Sequence, residues 1–116
     1  MTKQEQVLRE MSNMDINLKE FPIKLKTWHK YMTLVACNCR GYVSRHEEAH
    51  QVSISSDTVE ARIVARDGGF ELQCLNRGLW WQGCSPVYKR VSSCLAYFLK
   101  NFESLAIIYN KKKYIQ

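Results

Sequence analysis

The stretch "TVEARIVARDGGFELQCL", Thr58 to Leu75, carries the architecture of this chain. Val59, Ala61, Ile63 and Ala65 fall on one face and Glu60, Arg62 and Arg66 on the other, the two-residue period of a half-buried strand. After "DGG" the alternation resumes with Phe70, Leu72 and Cys74 facing inward. Glycine accepts the positive φ that a tight turn demands, so the segment reads as an antiparallel hairpin over about 58–75.

Two registers keep its inner face apolar. A loop at Asp67-Gly68 pairs Ala65 with Phe70, Ile63 with Leu72 and Ala61 with Cys74. A loop at Gly68-Gly69 pairs Ala65 with Leu72 and Ile63 with Cys74, and sets Arg66 opposite Glu71. An odd slip places Ala65 against Glu71 and spoils the core face.

Downstream, the Gly-rich aromatic segment "NRGLWWQG" reads as a loop. Ser85 is a natural N-cap and Pro86 suits the first helical position, which predicts an amphipathic helix over about 86–101. Its apolar stripe is Val87, Val91, Cys94, Leu95, Phe98 and Phe102, with Lys89, Arg90 and Lys100 largely off it. "ESLAIIYN" extends this helix or adds a short strand, and "KKKYIQ" ends the chain in a flexible basic tail, about 110–116.

Upstream, Val7, Leu8 and Met11 have helical spacing within Lys3 to Met11, and "NMDIN" breaks it. Phe21, Ile23 and Leu25 alternate with Lys24 and Lys26. Trp28, Tyr31, Met32 and Val35 fit one helix face, although their β-branched and aromatic content leaves a strand open across 22–36. Val52 and Ile54 alternate with serines. The expectation is a single α+β domain over 1–116. A small antiparallel sheet of three to four strands is packed by N-terminal helices and the C-terminal helix. The order helix, strands, helix is similar to that of a double-stranded-RNA-binding domain. The similarity is confined to element order, because only Lys89-Arg90 stand where that family has a lysine-rich cluster.

With 116 residues, 46% hydrophobic and 24% charged, the chain suffices for one folded core. The polar start "MTKQEQVLREM" lacks the apolar core of a secretory signal, and "LAIIY" is far too short to cross a bilayer. These features predict a cytoplasmic protein. The five cysteines, odd in number, then read as thiols rather than bridges.

The net charge of +6 is one-sided. Residues 1–71 hold ten basic and ten acidic residues, whereas 72–116 hold seven basic residues against Glu103 alone. A field of this kind favours polyanions or an acidic protein surface.

"CNCRGYVSRHEEAH", Cys37 to His50, raises two metal readings. His46, Glu47 and His50 spell the H-E-x-x-H of a zinc-dependent hydrolase, in which two histidines one turn apart hold the metal and the glutamate activates water. Ser44 with Glu47 forms a capping box, which would start a helix just before His46. Alternatively Cys37 and Cys39, on one face of a strand, join His46 and His50 in a structural zinc site. Neither the C-x-C step nor the short gap from Cys39 to His46 matches the usual zinc-finger spacing, and a polar connection explains the same residues; no cofactor is expected. Cys74 and Cys94 fall on apolar faces. Cys84, beside the expected helix start, is the one thiol a helix dipole would acidify, but no base accompanies it.

What remains is binding. Trp80 and Trp81 are adjacent, so an extended backbone sends them to opposite sides, one inward and one available for stacking on bases. Arg77, Lys89, Arg90, Lys100, Lys111, Lys112 and Lys113 supply charge for phosphates. The expectation is a small non-enzymatic module contacting nucleic acid, single-stranded or RNA, through its C-terminal third. The alternative is a protein-binding inhibitor or adaptor, of the kind mobile genetic elements encode, whose aromatic loop anchors on an acidic protein surface.

Overall fold

The structure, a computed structural model, describes residues 25–46 and 51–111. The helix expected over Lys3 to Met11, and Glu47, His50, Lys112 and Lys113, lie outside the described residues.

The central hairpin is formed by β3 (Glu60–Arg66) and β4 (Gly69–Asn76). Asp67 and Gly68 make the turn with φ of 49° and 80°, both positive as primed two-residue turns require. This selects the first of the two registers: Ala65 pairs with Phe70, Ile63 with Leu72 and Ala61 with Cys74. Five of these six side chains are buried, and only Ala65, near the turn, is exposed.

A second hairpin of the same kind follows directly. Arg77 and Gly78, with φ of 53° and 77°, connect β4 to β5 (Leu79–Trp81). The segment read as an aromatic loop is therefore partly a strand. With β1 (Tyr42–His46) and β2 (Gln51–Ser55) the sheet has five antiparallel strands in the order β1-β2-β3-β4-β5, one more than expected.

Helix α1 (Leu25–Cys39) settles the ambiguity upstream in favour of helix. Trp28, Tyr31, Leu34 and Val35 are buried in its core-facing stripe, while Met32 stays exposed. They join Val52, Ile54, Ile63, Phe70 and Leu72 from one face of the sheet and Val91, Cys94, Leu95 and Phe98 from helix α2 (Val91–Lys100) in one apolar core. The corner between α1 and β1 needs Gly41, where a Cβ would collide with the backbone of Ser55.

The C-terminal helix starts later than expected. Ser85 is no N-cap: its hydroxyl accepts the N–H of Leu72 at 3.0 Å and donates to Pro86 O at 2.8 Å. Phe70 and Tyr88 then exchange both backbone hydrogen bonds, at 2.7 and 2.8 Å. Residues 85–88 thus complete the edge of β4 beyond the reach of short β5, and an unsatisfied buried N–H there would cost about 1–3 kcal/mol. That demand outweighs the local Ser-Pro helix signal, so α2 begins only at Val91, without a side-chain cap. Val87 of the expected stripe is accordingly exposed.

At the other end, Asn101 caps Tyr97 O through both its backbone N–H and its side-chain amide. A bend of 75° separates α2 from α3 (Phe102–Ile108), so "ESLAII" is helical but neither extends α2 nor forms a strand. Lys111 belongs to the fold rather than to a free tail. Its N–H bonds Thr58 O at 2.7 Å and its ammonium meets Glu60 at 3.0 Å.

Gly69 is the tightest point of the β4 edge, since a Cβ there would stand 2.5 Å from Tyr88 O. In Gly69→Ala the amides of Phe70 and Tyr88 should lose hydrogen-exchange protection, with a stability loss of about 2 kcal/mol in urea melts. Gly68→Ala, strained only by its positive φ, should leave those two amides protected.

Candidate functional site

Period-two alternation fixes what each face of the sheet can do. The described helices pack on the face carrying Val52, Ile54, Ala61, Ile63, Phe70, Leu72 and Cys74. The opposite face carries Ser53, Arg62, Val64, Gln73, Leu75 and Trp80, positions linked by the cross-strand pairs Ser53 with Arg62, Arg62 with Gln73 and Leu75 with Trp80.

On this second face the Arg62 guanidinium lies over the Trp80 ring, 4.3 Å from its centroid. Arg62 Nε donates to Gln73 Oε1 at 2.8 Å, which holds the guanidinium in place above the indole. Such a cation–π contact contributes about 0.5–2 kcal/mol according to its exposure. Burial draws the Arg62 pKa down from its usual value, and the group remains a cation throughout the physiological range. A guanidinium held over an indole in this way offers both a stacking plane for a base and a charge for a phosphate.

A buried carboxylate on the same face supports the arrangement. Glu71 accepts from Arg66 Nη1 at 2.9 Å, from the Gly83 N–H at 2.9 Å and from Gln73 Nε2 at 3.1 Å. Burial alone would raise its pKa, but the hydrogen bonds from Gln73, Arg66 and Gly83 outweigh burial and hold it below the ordinary glutamate value. Arg66 also reaches Gln82 Oε1 at 2.9 Å. The chain Arg66–Glu71–Gln73–Arg62–Trp80 thus runs across three strands and ties the loop after β5 to the sheet.

The residues nominated from sequence do not form one patch. Trp80 and Trp81 project from opposite faces of β5, as their adjacency predicted, but neither is buried: Trp80 is half-buried under Arg62 and Trp81 is 50% exposed. Arg77 is at the exposed tip of the second hairpin. Lys89 and Arg90 precede α2, Lys100 ends it, and Lys111 is paired with Glu60. Arg62, Gln73 and Glu71 were missed. Alternation had set Arg62 on the outer face, but its partner Trp80 is legible only once Arg77-Gly78 is recognised as a two-residue turn.

The metal readings meet a different geometry. Cys37 and Cys39 are on a helix, where positions two apart point about 200° away from each other; Cys37 is exposed and Cys39 buried. Ser44 and His46 are in β1, so the expected helix start at the capping box is a strand instead. Among the described residues no three of His, Cys, Asp and Glu come together as a metal-holding group.

Cys84 also changes setting. It precedes α2 by several residues, so no helix dipole acts on it. A hydrogen bond from the Cys74 thiol lowers its pKa most, against burial, and bonds from the Tyr109 hydroxyl and the Cys74 N–H add to the effect.

No family model, no curated protein and no solved structure matches the chain.

Glu71→Gln should lose the charge-assisted part of three hydrogen bonds and about 2 kcal/mol of stability near neutral pH. Because the folded carboxyl titrates below the unfolded one, the wild-type advantage is complete above the ordinary glutamate pKa of about 4.3. It is lost as pH falls through the lower folded value. Urea melts of both proteins between neutral and acid pH should therefore converge at the acid end.

Proposed function

We propose that this protein is a small non-enzymatic binding domain that holds single-stranded nucleic acid, RNA in particular, against the face of its sheet opposite the described helices. The observation that carries the reading is the Arg62–Trp80 stack, fixed by Gln73 on a face that the described helices leave uncovered. Single-stranded nucleic acids are recognised by stacking unpaired bases on aromatic rings or guanidinium planes while nearby cations neutralise the backbone. Ser53, half-buried beside the stack, is suited to sugar hydroxyls, while Gln73 is buried and serves to hold Arg62. The net charge of +6 supplies long-range attraction even though its sources are spread around the molecule.

One observation favours a second reading, a protein partner. Leu79, Trp81, Ile107 and Ile108 are exposed apolar residues on strand β5 and helix α3. An aromatic anchor of this kind is typical of a protein-binding hot spot.

The two tryptophans separate these readings because they leave β5 on opposite sides. In titrations with labelled single-stranded RNA, single-stranded DNA and duplexes at several salt concentrations, Trp80→Ala should weaken binding about tenfold to a hundredfold, the loss of roughly 1–3 kcal/mol of base stacking. Trp81→Ala should bind as wild type does, and affinity should fall as salt rises. Absence of binding at low salt contradicts the nucleic-acid reading and directs attention to Trp81 and a protein partner.

A further inference from the structure

Cys74, Cys84 and Cys94 are all buried between β4 and the elements that follow β5. Cys94 is committed to the fold, its thiol donating to Phe70 O at 3.3 Å. Cys74 and Cys84 are placed differently. Cys74 stands opposite Trp81 in the β4–β5 ladder, and the chain turns back after Trp81 so that the Cys84 thiol donates to Trp81 O at 3.1 Å. The turn folds Cys84 back against Cys74, with the Tyr109 side chain, just beyond α3, beside the pair. Cys84 keeps 8% exposure and Cys74 none. Of the two residues, Cys84 is the one that solvent reaches.

We propose that Cys84 and Cys74 form a peroxide-sensitive pair, with Cys84 the attacking thiolate and Cys74 the resolving thiol, and that they close into an intramolecular disulfide. The oxidant is a small peroxide, a reagent of the size that a residue left only 8% exposed admits. In the first step Cys84 Sγ attacks one peroxide oxygen: an S–O bond forms, the O–O bond breaks, and the released hydroxide becomes water with the proton Cys84 had given up. Cys84 is then a sulfenic acid. In the second step Cys74 Sγ attacks Cys84 Sγ: the S–S bond forms, the S–O bond breaks, and the hydroxyl leaves as water with the proton from Cys74. Two thiols are oxidised and one peroxide is reduced to two waters.

The surroundings suit these roles. The Cys74 thiol, the Tyr109 hydroxyl and the Cys74 N–H favour a Cys84 thiolate, while burial, the negative charge of Glu71 and the Trp81 carbonyl to which the thiol donates oppose it, with the balance below the ordinary thiol value. The same contact raises Cys74, which stays protonated until it is attacking. The resulting bond would staple the loop that begins at Gln82 to β4. The proposal stands apart from any ligand on the opposite face of the sheet.

Trypsin places the two cysteines in different peptides, Asp67–Arg77 and Gly78–Lys89, which makes the test direct. Purified full-length protein is treated with graded hydrogen peroxide, blocked with an alkylating agent and mapped by mass spectrometry without reduction. The expected result is a chain lighter by two hydrogens and a linked pair of those peptides, appearing at doses that leave exposed Cys37 as a free thiol. In Cys74→Ala the expected product is instead a Cys84 sulfenic acid trapped by a dimedone-type reagent. The wild-type map is decisive by itself should the variant not fold. Oxidation of Cys37 ahead of Cys84, a bridge to any other cysteine, or a Cys84 sulfenic acid that persists in the wild type would overturn the proposal.

Discussion

A two-residue turn at Asp67-Gly68 sets everything else in this fold. Once both residues take positive φ, Arg66 faces Gly69, and every later pair in the β3–β4 ladder is fixed. Ile63 and Leu72 then share the core face, Arg62 and Gln73 share the other, and Arg66 reaches Glu71 diagonally. Moving the turn by one position to Gly68-Gly69 would keep the core apolar, yet it would set Arg66 directly across from Glu71 and part Arg62 from Gln73. The core alone does not choose between the registers. The polar network distinguishes them, because the observed turn allows Gln73 to bond Arg62 and Glu71 together.

The second constraint is the edge of β4. That strand is eight residues long and β5 covers only its last part, so its remaining backbone groups need other partners. Ser85 supplies one through its side chain and Tyr88 two through its backbone. This accounting explains why a segment with good helix-start residues is held extended, and why Cys84 is folded back over Cys74. It also places the buried carboxylate of Glu71 where the Gly83 N–H can reach it. The loop after β5 therefore serves as structural edge, support for the Arg62 network and frame for the sulfur pair.

Much of this was legible in the sequence, and what was not has identifiable causes. The hairpin, the α+β class, the helical stripe through Trp28, Tyr31 and Val35, and the opposite projection of Trp80 and Trp81 all follow from local periodicity. The start of α2 did not, because Ser85 and Pro86 answer to a strand edge contributed by residues more than ten positions earlier. β5 is three residues long, too short for a periodic signal, and its turn uses Arg-Gly rather than the more familiar Asn-Gly. Cys37 and Cys39 were read as if on a strand because α1 continues into them without an apolar marker. The Arg62–Trp80 contact joins residues 18 positions apart across three strands, so only the pairing of β4 with β5 reveals it.

The proposed binding surface is one face of the sheet, with Arg62 and Trp80 at its centre. The three tryptophans give three resolvable reporters: Trp28 in the core, Trp80 on the sheet face opposite the described helices and Trp81 on the other side of β5. The most direct measurement is to follow their indole N–H signals by NMR while adding a short single-stranded RNA at low salt. A progressive shift of the Trp80 signal, with Trp28 and Trp81 stationary, is the predicted result. Movement of Trp81 with Trp80 unchanged, or no movement of any of the three, would contradict it.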